Sequence, residues 1–159
     1  MMKYPTTMVF LLISVSLCIT SCSKATGTTT AMPDGNNNGV YNNQTGNKMK
    51  ITVGAKVFTA TLNDNETAKA FKAMLPLTVN MSELNGNEKY FDLSKSLAVN
   101  SSNPGTIQSG DLMLYGSRTL VLFYKSFSTS FSYTRIGRID SISGLAETLG
   151  SGNVIVKYE

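Results

Sequence analysis

The most restrictive feature of the sequence is a series of short β-rich runs that continues to the end of the chain. Residues 50–53 and 57–62 are separated by a spacing close to that of a tight hairpin, and residues 119–124 are almost continuously apolar. Asn85-Gly86 is a further strong turn signal. Many short strands combined with two short helical segments predict a mainly β fold, namely a closed or nearly closed β-barrel with two short helices.

Further strands and one long loop complete this pattern. Strands are predicted at residues 77–81, 111–115, 135–139 and 154–158. Between them, residues 94–105 form a polar stretch with few apolar anchors. Loops of this length inside a compact domain are often functional, so this stretch is a candidate functional loop, and the alternative is a loop that is simply mobile.

Polar residues mark the start of the first predicted helix. Asn63 and Glu66 have the spacing of a capping box, and Asp64 is the alternative N-cap. The helix ends before Pro76, and a second short helix is predicted at residues 145–149. Capping explains Asp64 and Glu66 more simply than a role as catalytic acid and base, so we favour capping.

The absence of histidine excludes several chemistries. The chain contains no His, which removes imidazole-dependent protease sites and most zinc or iron sites. Its two cysteines, Cys18 and Cys22, both lie near the amino terminus, so the folded part has no disulfide and no redox thiol. We therefore expect no metal and no cofactor. The net charge of +4 is mild and comes without a basic run, so we expect no nucleic-acid partner.

The amino terminus has the pattern of a bacterial lipoprotein export signal. Lys3 precedes an apolar stretch at residues 8–17, which has signal-peptide length and is too short to span a membrane. Ile19-Thr20-Ser21-Cys22 then resembles a lipobox, in which the cysteine receives diacylglycerol. The predicted organisation is a lipoprotein signal peptide over residues 1–21, lipidation at Cys22, a flexible polar tether over residues 22–47 and a folded domain over residues 48–159.

A lipidated Cys22 predicts a membrane partner and a location in the cell envelope. Ser23-Lys24 follows the cysteine in place of an Asp, which favours the outer membrane with the domain facing the periplasm, if the cell has two membranes. The tether is rich in Ser, Thr, Gly and Asn and has too few apolar groups to fold. The alternative is an ordinary signal peptide whose cysteine is incidental.

Five segments of the predicted domain carry a family resemblance, namely residues 59–71, 75–86, 110–116, 122–124 and 136–139. Together they resemble the bacterial cyclophilin-like domain family, of which this chain would be a lipoprotein member. The resemblance covers essentially all of residues 48–159 and implies a cyclophilin-type β-barrel. Members of that family mostly have no assigned activity.

A true cyclophilin would be a peptidyl-prolyl isomerase, which is the alternative function. Cyclophilins of the eukaryotic type carry an arginine in a Phe-His-Arg segment, and this chain has no such segment. Gln108-Ser109-Gly110-Asp111 is similar to a second cyclophilin element, although a Gly-Asp turn before a strand is common. Because a fold transfers more readily than an activity, we favour a protein that is not an enzyme.

Aromatic and cationic residues in the second half of the domain form the candidate ligand cleft. The predicted cleft residues are Tyr115, Phe123, Tyr124, Tyr133, Arg135 and Arg138, with Phe131 as a further wall. In an isomerase, Arg135 or Arg138 would donate to the prolyl amide. Their odd spacing predicts opposite faces of an ideal strand, so at most one would face a given pocket. The alternative places the aromatic residues in the barrel core, and the arginines either on a solvated strand face or in ion pairs with Asp140 and Glu147.

Three functions remain open at this point. A module that binds a small molecule or an extended peptide is favoured, because the chain lacks the usual catalytic groups and keeps aromatic and cationic ones. An atypical prolyl isomerase is the second, and a structural lipoprotein with a protein partner is the third. Glycosidase chemistry would need two carboxylates about 5 to 9 Å apart, whereas the few acids here mostly fall at caps and turns.

Overall fold

The structure, a computed structural model, describes residues 46–159. The predicted signal peptide, the lipidation site Cys22 and nearly all of the predicted tether lie outside the described residues. Within the described part, no helix is both long enough and apolar enough to cross a membrane.

Residues 46–159 contain ten strands and two helices. In chain order these are β1 (Lys48–Val53), β2 (Lys56–Leu62), α1 (Glu66–Lys72), β3 (Leu77–Leu84), β4 (Glu88–Asp92), β5 (Thr106–Ile107), β6 (Asp111–Tyr115), β7 (Thr119–Phe123), β8 (Phe127–Ser128), β9 (Thr134–Ile139), α2 (Leu145–Leu149) and β10 (Val154–Tyr158). Eight of the described strands close into an antiparallel barrel in the order β1-β10-β3-β4-β7-β6-β9-β2. The prediction of a mainly β closed barrel with two short helices is confirmed.

The two turns predicted most directly are present. β1 and β2 pair up to Val53 and Lys56, so the hairpin loop has the expected two residues. Asn85 and Gly86 have φ angles of 57° and 66°, the left-handed conformation that this pair adopts readily. The second turn leads directly into β4, which contributes to the candidate site.

Alternation along β6 and β7 divides their side chains between two apolar clusters. One set points into the barrel and belongs to its core, namely Leu112, Leu114, Leu120 and Leu122. The intervening set lies on the outer face of the sheet, namely Met113, Val121 and Phe123. Because side chains alternate across a strand, both faces of this sheet are apolar, which explains the almost continuous apolar run at residues 119–124.

The two helices lie at opposite ends of the barrel, because they follow the antiparallel strands β2 and β9. Phe71 of α1 packs edge-on against Tyr158, with ring centroids 5.6 Å apart. Leu145 and Leu149 of α2 are buried at the other end. Each end of the core is therefore covered by a helix.

The N-cap of α1 is Asn65, so the sequence prediction of Asn63 or Asp64 as the cap is wrong. The Asn65 side chain accepts a hydrogen bond from the Ala68 N–H at 2.8 Å and donates one to the Arg135 carbonyl at 2.8 Å. The second bond reaches β9, which local sequence spacing does not indicate. Capping is therefore the right role for this segment, but tertiary contact selects the residue.

The long loop at residues 94–105 is better anchored than its composition predicts. Leu97 is buried, and Thr67 of α1 donates a hydrogen bond to the Ala98 carbonyl at 2.7 Å. Ser102 pairs with Tyr133 through two backbone hydrogen bonds of 3.0 Å. Leu97 thus fixes the start of the loop to the barrel core, and Ser102 fixes its end to Tyr133, a residue of the apolar cluster on the outer face of the sheet.

Candidate functional site

The outer apolar cluster is covered by a two-stranded sheet outside the barrel. β5 and β8 pair through Ile107 and Phe127, and both residues pack on the cluster. Tyr133 joins them from the segment before β9 and is buried. The barrel wall and this small sheet together build a second, smaller core on one face of the domain.

An open groove lies beside this second core, with a cavity volume of about 410 Å³. Five aromatic residues line it, namely Tyr90, Tyr115, Phe127, Phe131 and Tyr133. The remaining lining residues are mostly polar, namely Leu84, Asn85, Asn87, Glu88, Thr119, Val121, Ser128, Thr129 and Ser130. We call this feature the aromatic groove. Its size and composition are those of small-ligand sites, which are largely apolar with a few polar groups.

Three aromatic rings meet at one wall of the aromatic groove. Tyr115 stands edge-on to Phe131, with centroids 6.1 Å apart, and is tilted against Tyr133 at 5.6 Å. Phe123 lies beneath, edge-on to Tyr133 at 5.5 Å. Edge-to-face pairs at these distances are favourable, so the rings hold one another in place.

One carboxyl group lies among these rings. Glu88 is half-buried at the start of β4, on the same face as Tyr90. Burial raises the pKa of the Glu88 carboxyl, and the nearby carboxylate of Glu83 raises it further. Burial also raises the pKa of Tyr133, and the charge of Glu88 acts in the same direction. The charge of Glu88 therefore acts on Tyr133 within the aromatic groove.

The sequence matches the model of the Cyclophilin-like family over residues 51–159. The chain belongs to this family. The family resemblance of the sequence segments is thereby confirmed. No curated protein matches the chain. A solution structure of a hypothetical protein from Archaeoglobus fulgidus is similar, with 18% sequence identity, a TM-score of 0.49, and coverage of 74% of this chain and 98% of that chain.

The cyclophilin-like domain brings only part of the predicted cleft together. Tyr115 and Tyr133 line the aromatic groove, as does the further predicted wall Phe131, and Phe123 supports them from below. The lining does not include Tyr124, Arg135 or Arg138. The six predicted cleft residues therefore occupy three separate places in the domain.

Tyr124 belongs to a buried polar cluster at the α2 end of the barrel core. Its hydroxyl lies 2.9 Å from both carboxylate oxygens of Glu83, and the Lys89 ammonium lies 5.3 Å from its ring centroid. Burial, followed by the hydrogen bond to Glu83, raises the pKa of Tyr124 to about 12. Tyr124 is therefore a neutral donor to Glu83 at physiological pH.

Arg135 and Arg138 lie on the same outer face of β9, so the prediction of opposite faces is wrong. Their guanidinium groups approach the two carboxylate oxygens of the buried Asp111 at 3.7 and 3.8 Å. The cause is a β-bulge: two steps along β9, from Gly137 to Arg135, match a single step along β6. Ile136 is the extra residue of the bulge, and it shifts the in-and-out alternation of β9 side chains by one position.

The alternative ion pairs predicted for the arginines are replaced by others. Asp140 pairs with Lys48 at 2.8 Å and accepts a hydrogen bond from Thr61 at 2.5 Å. The hydrogen bonds from Lys48 and Thr61 hold the pKa of Asp140 below its ordinary value. Both arginines pair instead with Asp111, the aspartate of the predicted Gly-Asp turn.

Sequence reasoning did not assign Tyr90, Phe127 or any of the non-aromatic lining residues to the aromatic groove, and Asn87 and Glu88 are the two polar ones with the greatest consequence. A signal for Glu88 was available, because alternation in β4 places it on the same face as Tyr90. Asn87 follows the Asn85-Gly86 turn and could be assigned to the groove only after the position of β8 was known. Among residues 46–159, His, Cys, Asp and Glu form no group of three that could hold a metal ion.

Proposed function

We propose that the protein is a lipid-anchored, extracytoplasmic binding module of the cyclophilin-like family. Its aromatic groove holds a small molecule or an extended peptide. The observation that carries this proposal is the groove itself, an open cavity of about 410 Å³ with five aromatic residues and one carboxyl group. Cavities of this size take drug-sized ligands or a few peptide residues.

Exposed aromatic rings support a binding role over a purely structural one. Tyr115 is 47% exposed and Phe131 is 58% exposed, although both are large and in contact with each other. The core rings Phe71 and Phe123 are fully buried by comparison. Adjacent exposed rings in a concave surface are typical of ligand sites, because they offer rigid apolar area that is still accessible.

The position of the arginines favours binding over prolyl isomerisation. An isomerase needs a donor that weakens conjugation of the prolyl amide, and Arg135 or Arg138 was the predicted donor. Both guanidinium groups approach Asp111 and are absent from the lining of the aromatic groove. We therefore retain isomerase activity only as an outcome of a test.

The anchor part of the proposal depends on Cys22 and its lipobox. A diacylglycerol group on this cysteine would fix the chain to the membrane. Residues 22–47 would then separate the domain from the membrane surface, because their composition does not favour folding. Binding and anchoring together would concentrate a ligand, or a ligand-bearing partner, at the envelope.

Ligand-observed NMR with a fragment library tests the binding role. Full-length protein in detergent is screened against aromatic and heteroaromatic fragments, and hits are repeated with Phe131→Ala and Tyr115→Ala. Ile155→Ala is the matched control, since Ile155 is an apolar residue on β10 that is slightly more exposed than Phe131 and Tyr115. We expect hits that weaken at least fivefold in the groove variants and are unchanged in the control. Hits that are insensitive to both groove variants would refute the groove as the binding site.

A protease-coupled assay with a prolyl peptide tests the alternative enzyme. We expect no acceleration of cis-trans exchange by the wild-type protein, even at high concentration. Acceleration that Phe131→Ala abolishes would establish the isomerase and replace the binding proposal.

Metabolic labelling with an alkyne analogue of palmitate tests the anchor. We expect label on the wild type and on Cys18→Ala, because Cys18 lies within the predicted signal peptide. Cys22→Ala should lose both the label and its membrane association. Retention of label and membrane association by Cys22→Ala would overturn the proposed anchor.

A further inference from the structure

The aromatic groove has a single charged side chain in its lining, and that side chain is acidic. Glu88 is the one carboxyl group of the lining, and the lining contains no Lys or Arg. Among the described residues, the Glu88 carboxyl takes part in no ion pair. The neighbouring Lys89 does not compensate it, because its ammonium points into the barrel and pairs with Glu83.

A second acceptor lies next to Glu88 in sequence. The side-chain oxygen Oδ1 of Asn87 is buried and, within residues 46–159, has no hydrogen-bond partner. Buried acceptors without a partner are rare and costly, and they often mark a place where a missing group donates. Asn87 also lines the aromatic groove, so a donor group of a ligand bound there would satisfy Oδ1 once a change of side-chain rotamer turns this buried atom toward the groove.

Aromatic rings next to these acceptors favour a positive charge over a neutral group. Tyr90, Tyr115 and Tyr133 line the same cavity as Glu88. The face of an aromatic ring attracts a cation, and the attraction is stronger where water is excluded. A half-buried carboxylate has already lost part of its hydration. A cation that binds next to it therefore stabilises its charge better than the remaining water does.

We propose that the aromatic groove selects ligands carrying an ammonium or guanidinium group next to an apolar moiety, with the cationic N–H groups donating to Glu88 and Asn87. This inference rests on the proposed binding function and names the class of ligand. The apolar moiety of the ligand contacts Tyr115 and Phe131, where exposed ring surface is available.

Matched probes that differ only in charge test this inference. Benzoyl-arginine amide carries a guanidinium group, and benzoyl-citrulline amide replaces it with a neutral urea of the same shape. Each probe is titrated into full-length protein in non-ionic detergent by isothermal titration calorimetry. We expect the arginine probe to bind at least tenfold more tightly than the citrulline probe.

Two variants localise the charge preference. Glu88→Gln keeps the size and shape of the side chain. It should reduce the preference for the arginine probe over the citrulline probe to less than twofold, mainly by weakening the binding of the arginine probe. Glu147→Gln is the matched control, because it removes the same charge from an exposed position on α2. The control should keep the tenfold preference.

Three outcomes would overturn the inference. If the two probes bind the wild type equally tightly and neither binds Phe131→Ala, the groove binds ligands but does not select for charge. A preference that persists in Glu88→Gln would place the cation elsewhere. Failure of both probes to bind would refute the proposed ligand class, whereas the binding function is decided separately by the fragment screen.

Discussion

The ammonium group of Lys89 lies fully buried inside the barrel, in contact with the carboxylate of Glu83. It also donates to the carbonyls of Gly150 and Gly152 at 2.8 and 2.6 Å. These three acceptors match the three N–H donors of a lysine, so the buried charge is fully satisfied. The cluster connects β3, β4 and the turn before β10, and thereby holds the α2 end of the barrel together.

We expect Lys89→Met to destabilise the domain by about 3 to 5 kcal/mol, because it leaves the Glu83 carboxylate without its counter-ion and two carbonyls without their donor. Urea denaturation followed by circular dichroism measures the change. Lys125→Met is the control, since Lys125 is exposed and its ammonium lies 6.0 Å from the Tyr124 ring. The control should change stability by less than about 0.5 kcal/mol. Equal effects of the two variants would contradict the structural role of Lys89.

Glu83 and Glu88, on either side of the Asn85-Gly86 turn, should have opposite effects on how the stability of the domain depends on pH. Burial alone would raise the pKa of Glu83, but the hydrogen bonds from Lys89, Tyr124 and the Gly86 N–H lower it overall. A lowered folded-state pKa adds stability above the unfolded value of about 4.3 and loses it as the pH falls further. Glu83→Gln should therefore reduce stability at pH 7 and flatten its loss in acid. Urea midpoints between pH 3 and 7 measure both effects.

Glu88→Gln should raise the urea midpoint at pH 7 and leave it nearly unchanged at pH 4. Burial raises the pKa of Glu88, so its ionisation opposes folding as the pH rises through the folded-state pKa. The neutral amide removes that penalty. Functional groups often carry a stability cost of this kind. A Glu88→Gln protein that is less stable than wild type at pH 7 would show that Glu88 serves the fold instead.

Gly137 is required by the close approach of β9 to β2 at the bulge. A Cβ atom at this position would lie 2.6 Å from the Thr61 carbonyl oxygen and 3.1 Å from the Leu62 Cα. Gly137→Ala should therefore destabilise the domain by about 1 to 3 kcal/mol in thermal or urea unfolding. Gly152→Ala is the matched control, because a Cβ there meets no atom within 4 Å. Unchanged stability in Gly137→Ala would mean that β2 and β9 separate at little cost.

The cap of α1 can be assigned by three alanine substitutions. Asn65→Ala should destabilise the domain by about 1 kcal/mol, because the side chain both caps the helix and binds the β9 backbone. Asn63→Ala and Asp64→Ala should each change the free energy of unfolding by less than about 0.5 kcal/mol. The opposite ranking would restore the cap predicted from sequence spacing.

The strands and turns of this domain were predictable because they depend on short-range properties. The pattern of residues 111–115 and 119–124 matches β6 and β7 to within one residue. Asn85-Gly86 adopts left-handed φ angles wherever a tight hairpin needs them, which makes it recognisable without a structure. The closed barrel follows from the number of such strands, and the prediction holds.

The candidate site was predictable only in part. Tyr115, Phe131 and Tyr133 were correctly placed near one another, since aromatic residues are concentrated in that part of the chain. Phe123 and Tyr124 could not both face one cleft, because adjacent residues of a strand point to opposite sides. That signal was available, and it separates the outer cluster from the cluster around Glu83.

By itself, therefore, the sequence determined most strands of the barrel, where the tight turns fall and that the chain lacks imidazole and thiol chemistry in its folded part. It did not predict the short strands β5 and β8 that cover the outer cluster. Only the tertiary structure decided that Arg135 and Arg138 share a face, that Asn65 caps α1 and that Glu88 lies among the aromatic rings. The physical reason is register. A bulge, a cap bonded to a distant strand and a groove beside a separate small sheet all depend on which residues of different strands are paired, and no local pattern records that pairing.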